Sequence, residues 1–292
     1  MVLYQTLSRI GRRFAMAATL GLLAVATTTP AQAGFTVFEA AGADAAAITP
    51  TRDAFRAAVG GGAVAGANGS FGGLRREINW DGVPDARSDP NPLPADFFNT
   101  TSPRGAVFST PGTGFLVSAN AGVATPPLFG FPFDFQAFSS QKLFTAVNSN
   151  TTDVTFFLPG TSVAATTGAF GVIFADVEVA GLTRIDFFDV NNNALFSRDA
   201  LVGGSLGLSF LGGVANAGER IGRVRITSGL NTIVANGVLG NPNDDVVVMD
   251  DFLYAEPVAV AAAVPEPASL TLTGLGLALL GAFARRGRRR AA

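Results

Sequence analysis

Along most of the chain, apolar residues alternate with polar ones or cluster over short spans bounded by turn residues, a period of two that predicts strands rather than helices. The segment Phe131-Pro132-Phe133-Asp134-Phe135-Gln136-Ala137-Phe138 shows it most cleanly: Phe131, Phe133, Phe135 and in part Ala137 would share an inward face, while Asp134 and Gln136 meet water. Further strands are expected at 36–39, 107–109, 115–118, 154–158, 171–179, 184–189, 206–211, 223–227 and 246–254. About ten strands at such spacing point to an all-β fold, a β-sandwich of jelly-roll type. Two hairpins are expected. In one, 184–188 and 194–198 flank Asp189-Val190-Asn191-Asn192-Asn193, whose asparagines tolerate left-handed backbone; in the other, 223–227 and 232–235 flank Gly229. One short helix should run from Pro50 or Thr51 to Val59, with Thr49 or Thr51 as N-cap, Asp53 in its first turn and Gly60, Gly61 and Gly62 ending it. Residues 259–264 read as a plain linker, and no internal repeat is visible.

The two ends break this pattern with continuous apolar runs. Near the start, Arg9, Arg12 and Arg13 precede an apolar run over 14–25, and Thr27-Thr28-Thr29-Pro30 and Ala31-Gln32-Ala33 follow it. That order predicts a signal peptide over 1–33. The arginines stay cytoplasmic, the apolar signal helix enters the export translocon, and Ala31 and Ala33 fit signal peptidase, with cleavage after Ala33. Arg12-Arg13-Phe14 also permits a twin-arginine route, although no cofactor-binding motif requires folding before export. At the other end, Val264-Pro265-Glu266-Pro267-Ala268 leads into an apolar run to Ala284 and then Arg285, Arg286, Arg288, Arg289 and Arg290. Residues 268–284 would form a helix of about 26 Å, the short limit for a transmembrane helix. The arginines after it belong on the cytoplasmic side, which leaves the ectodomain outside. Pro265 and Pro267 hold the junction extended, as a protease requires.

This succession resembles the PEP-CTERM sorting tail: Pro-Glu-Pro, a short transmembrane helix, and a basic cluster ending the protein. The resemblance covers about residues 264–290 and implies recognition by exosortase, a membrane-embedded cysteine transpeptidase-like enzyme of bacteria that make extracellular polysaccharide. Pro265, Glu266 and Pro267 would then be the sorting motif and Arg285, Arg286, Arg288, Arg289 and Arg290 the basic stop cluster. The alternative is an ordinary single-span anchor with a coincidental Pro-Glu-Pro. The resulting organisation is a signal peptide (1–33), a β-sandwich ectodomain (34–258), a linker (259–264) and a sorting tail (265–290).

Composition narrows what the ectodomain can do. Charged residues make up 14% of the 292, against about 25% in average soluble domains, and there are 35 glycines, which suits short strands joined by Gly-rich turns. From 34 to 264 the chain has twelve basic and twenty-one acidic residues, an acidic balance that repels phosphate and argues against nucleic acid. The absence of Cys and His removes disulfides, Ser-His-Asp and Cys-His nucleophile systems and the usual zinc ligands. The glycine runs at 60–62 and 72–73 lack the Gly-Lys-Ser/Thr ending of a phosphate loop. A carboxylate-pair glycosidase survives this exclusion, without any pair being singled out.

Calcium is the one cofactor the acidic balance makes plausible, at Glu39, Asp250 and Asp251, although strand alternation would turn Asp250 and Asp251 to opposite faces. Twenty-five Phe, against Trp80, Tyr4 and Tyr254, read as core rather than sugar-stacking platforms. One segment stands apart: the only Trp lies beside Glu77, Asn79 and Asp81, ahead of a long Pro- and Asp-rich stretch at 82–104. Glu77, Trp80 and Asp81 are therefore a candidate ligand loop, the bland alternative being a Trp that plugs one end of the sandwich. The Asn-X-Ser/Thr triplets at Asn68, Asn99 and Asn150 read as chance in a bacterium.

The expectation is an exported, non-catalytic envelope or matrix protein, anchored transiently or permanently in the membrane, whose sandwich binds surface polysaccharide or simply occupies the matrix. A secreted carbohydrate-active enzyme and a permanently anchored structural protein are the alternatives.

Overall fold

The computed structural model describes residues 34–234, 237–239 and 244–260; the signal segment with Ala31 and Ala33, the Pro265-Glu266-Pro267 motif, the 268–284 run and the arginine cluster lie outside the described residues. Among the described residues no helix is long and apolar enough to cross a membrane. In chain order the elements begin with β1 (Phe35–Gly42), α1 (Ala45–Val59), β2 (Ser70–Phe71), β3 (Arg75–Ile78), α2 (Phe97–Thr100), β4 (Ala106–Ser109), β5 (Gly114–Val117) and β6 (Phe144–Val147). They continue with β7 (Thr151–Phe157), β8 (Ala164–Thr166), β9 (Ala169–Ala175), β10 (Arg184–Phe188), β11 (Ala194–Asp199) and β12 (Leu208–Ala215). The last are β13 (Arg223–Thr227), β14 (Thr232–Val234), β15 (Gly237–Leu239), β16 (Val248–Ala255) and β17 (Val258–Ala259).

The strands form two sheets, as the alternation predicts. The first runs β1-β12-β9-β16-β6-β14-β15, with β3 added to β16, β2 to β3 and β5 to β6; the second runs β11-β10-β13-β7-β8-β17, with β4 on β7. In the second sheet, β7, β10 and β13 alternate strictly between buried and half-exposed positions. Their inward residues Val154, Phe156, Ile185, Phe187, Val224 and Ile226 join one core with Phe170, Val172, Phe144, Phe252 and Tyr254 of the first sheet. Phe170 touches Phe156 and Phe187 across the gap, each at 6.4 Å between ring centroids. The fold is therefore all-β, two sheets packed face to face.

The first sheet is covered on its other side too. All seven residues of β9 are buried, and Ile48 and Phe55 of α1 pack outside it with Ile173, Phe210, Val248 and Leu253. A strand buried on both faces reads as a continuous apolar run, as Ala169–Ala175 does. Gly212 of β12 permits the close approach of α1, because a Cβ there would lie 2.9 Å from the Phe55 ring.

Four expectations are corrected. The helix begins six residues earlier than Thr51, at Ala45, with Asp44 as N-cap accepting from Ala47 N at 3.1 Å and Pro50 inside it. Burial of Ile48 against the sheet outweighs the hydrogen bond that Pro50 cannot donate. Residues 131–138 are not a strand: Asp134 N and Phe135 N both donate to Phe131 O, making a turn, and Phe133 is 84% exposed while Phe135 is buried. Pro132 has no N–H to offer a ladder. Thr232–Val234 does not form a hairpin with Arg223–Thr227; the chain changes sheets at Gly229, whose N donates to Thr183 Oγ1, and β14 pairs with β15 and β6 instead. Finally, Ala259 at the start of the expected linker pairs with Ala165, so β17 closes the second sheet's edge.

Candidate functional site

The alternating reading of β16 fails at one place, and the failure builds a site. Met249 lies opposite Phe174 and Phe252 opposite Val172, so three steps on β16 match two on β9. The extra residue is a β-bulge, which brings the side chains of Asp250 and Asp251 to the same side. Ser139 Oγ stands 3.0 Å from Asp250 Oδ1 and 2.9 Å from Asp251 Oδ1, while Asp250 Oδ2 accepts from Phe138 N at 2.6 Å. A hydroxyl has one proton to give, so Ser139 donates to one carboxylate and accepts from the other only if the pair holds a proton. Burial, and then the charge of Asp251, pushes the Asp250 carboxyl well up; burial also raises Asp251.

Asp251 opens into a cavity of about 510 Å³ lined by Arg52, Arg56, Glu77, Asn79, Arg104 and Ser139, with Phe71 and Phe138 as apolar walls. This size lies within the range of small-ligand sites. Arg52 and Arg56 are four residues apart on α1 and so share a face. Arg52 lies over the Phe138 ring at 4.8 Å and donates to Asp53 at 2.8 Å. Glu77 of β3 is held by Arg56, with Nε donating to Oε1 at 2.8 Å and Nη2 to Oε2 at 2.5 Å, and by Arg75 Nε at 2.6 Å. Arg75, only 3% exposed, also donates to Arg56 O, Gly60 O and Gly62 O, satisfying carbonyls at the end of α1. A second cavity of about 230 Å³ shares Asn79 and Arg104 with the first and is lined by Trp80, Phe97, Phe98 and Ser102.

The candidate ligand loop is therefore split. Glu77 and Asn79 line the larger cavity. Trp80 is 1% exposed and stacks on Phe144, filling the core as the plugging alternative has it, with one edge at the smaller cavity. Asp81 accepts from Lys142 N at 3.1 Å and fixes the loop after β3. Glu39 is separated from the Asp pair: β12 and β9 intervene, roughly 14 Å at about 4.8 Å per strand. It instead accepts from Arg198 Nε at 2.8 Å. The three carboxylates thus do not converge on a calcium ion, and among the described residues no group of three or more His, Cys, Asp or Glu side chains is placed to hold a metal. Arg52, Arg56 and Arg104 escaped the sequence reading. The four-residue spacing of the first two on α1 was a usable signal, whereas Arg104 reaches the site only through long-range folding.

Buried carboxyls give the protein a pH signature. Burial, with the charges of Glu178, Asp134 and Asp245, raises Asp176 to about 7, and burial raises Asp245, Asp81 and Asp89 as well. For an acid raised in the folded state, the stabilisation is complete below its unfolded value of 3.8 and is lost as pH climbs through the folded one. Asp153 runs the other way: its burial is overridden by Arg225 and Arg223, which lower it, so its contribution is lost below 3.8. Thermal unfolding followed from pH 4 to 8 should show the highest Tm near pH 4 to 5 and a fall toward pH 8; a flat or rising profile over that range would contradict these environments.

Residues 263–290 match the PEP-CTERM protein-sorting motif. No curated protein and no solved structure is matched by the chain. The motif marks an exported chain for processing by exosortase and delivery to the cell envelope or surface.

Proposed function

We propose that this is a non-catalytic envelope or matrix protein whose jelly-roll-like sandwich binds surface polysaccharide at the cavity over the Asp250–Asp251 bulge, after exosortase acts at Pro265-Glu266-Pro267. The observation that carries the reading is the sorting motif over 263–290, joined to a folded body that offers a polar, Phe-walled cavity. The apolar run 268–284 holds the chain in the membrane until it is cut. Intact mass of the protein from the envelope and extracellular fractions tests this. The wild type should end near 265–267 outside the cell, whereas Glu266→Ala should keep its tail and remain with the membrane. Equal processing of the variant would sink the sorting role of the motif, and an uncut wild-type tail would make the protein a permanent anchor.

One observation favours a second reading, a carbohydrate-active enzyme. Asp251, with its raised proton affinity, and Glu77, ion-paired to Arg56 and Arg75, line the same cavity, which suits an acid and a base. Release of reducing ends from host polysaccharide, lost in Asp251→Asn, would establish it; no release leaves the binding module.

A further inference from the structure

Arg104 differs from the other cations of the site. Arg52 meets Asp53, Arg56 meets Asp53 and Glu77, Arg75 meets Glu77, and Arg76 meets Glu256. Arg104 has no carboxylate partner among the described residues: its Nε donates to Glu77 O at 3.0 Å, its Nη1 to Ser102 Oγ, and its guanidinium lies 5.1 Å from the Phe98 ring centre. A half-buried guanidinium with only neutral partners has given up water without gaining a counter-charge. It also lines both cavities, about 510 and 230 Å³, which Asn79 borders with it.

We propose that, against the acidic balance of the body as a whole, the two cavities form one groove for a linear uronate-bearing polysaccharide, where Arg52, Arg56 and Arg104 face Glu77 and Asp251 and Arg104 takes the carboxylate of a sugar at the junction. This rests on the glycan-binding reading and names the class of glycan. A bidentate guanidinium–carboxylate pair is the contact such a sugar offers. Nε is given to Glu77 O and one Nη1 hydrogen to Ser102, so the second Nη1 hydrogen and those of Nη2 are left to make it end-on. Two cavities in series suit a chain of sugars rather than a single one. Phe138 and Phe71 line the larger cavity as its apolar walls. Gly69 keeps Arg104 in place, since at φ +66° it has no Cβ, and a Cβ there would lie 2.5 Å from Arg104 Nε.

Trp80 is the chain's only tryptophan and borders the smaller cavity, so its fluorescence reports the groove and not the arginine cluster of the tail, which attracts any polyanion. Full-length protein titrated with sodium polygalacturonate should show a saturable change in Trp emission, with dextran giving none. Arg104→Gln should weaken the polygalacturonate response at least tenfold, Arg104→Lys should retain part of it, and Gly69→Ala should weaken it with Arg104 still present. Circular dichroism checks that each variant folds; should Arg104→Gln fail to fold, Arg104→Lys and Gly69→Ala carry the test. Unaltered binding by folded Arg104 variants, or dextran bound as tightly as polygalacturonate, would overturn the uronate assignment and leave glycan binding standing. A wild type bound by neither polymer, nor by polysaccharide from the host, would overturn both.

Discussion

Trp80→Ala is expected to lower the unfolding free energy by about 4 kcal/mol, within the range for deleting a large buried aromatic side chain. The Trp80 ring lies parallel to Phe144 at 4.0 Å, meets Phe98 and Phe252 edge-on at 5.4 and 5.1 Å, and touches Phe108 at 5.8 Å. Its Nε1 donates to Asp250 O at 2.8 Å, at the bulge itself. Alanine would therefore leave a cavity among four phenylalanines and an unpartnered carbonyl beside the Asp pair. For a domain of this size the Tm should fall by about 8–16 °C. Trp80→Phe separates the two contributions: it keeps most of the ring packing and loses the hydrogen bond, and should cost about 1–2 kcal/mol. Differential scanning calorimetry decides it, and a Tm within 2 °C of wild type for the alanine variant would show that Trp80 does not hold this end of the core.

What could be read from the chain beforehand follows how local the information is. In β7, β10 and β13 each residue's face is set by its neighbours two positions away, so the alternation gives the right burial. The β10–β11 hairpin is likewise local, closed by Asp189 accepting from Asn191 N and Asn193 N. The tail was legible because a sorting signal must be read in order along the chain. Residues 131–138 show the limit: the same alternation was present, but the outer face of the first sheet, which decides where those phenylalanines go, lies far away in sequence. The bulge at Asp250 and Asp251 is a one-residue irregularity set by partners in β9, and no local pattern signals it. Arg104 acquires its place through Glu77, 27 residues earlier, and Gly69. The candidate site was thus half visible, through Glu77 and the Asp-Asp pair, while the arginines that give it its charge were not.

Glu77→Gln is expected to cost about 3 kcal/mol of stability and, in the opposite direction, to strengthen polyuronate binding. The stability loss arises because Arg75, 3% exposed, would keep its charge out of water after losing its counter-charge. Removing both charges should be gentler than this predicts. In the double variant Arg75→Met, Glu77→Gln no buried ion is orphaned, so its cost should fall below the sum of the single costs by about 1 kcal/mol or more. Part of the Arg75→Met cost will remain, because the carbonyls of Gly60 and Gly62 at the end of α1 lose their donor. Binding responds otherwise, since Glu77 neutralises Arg56 at the wall of the larger cavity, and a neutral glutamine leaves that guanidinium facing the ligand. Urea unfolding and Trp80 fluorescence titration on the same samples separate the two effects. A Glu77→Gln protein that is destabilised and binds polygalacturonate more tightly supports a cationic groove. A destabilised protein with weakened binding would mean that Glu77 contacts the sugar itself, and the groove would have to be assigned to a neutral glycan held by carboxylates.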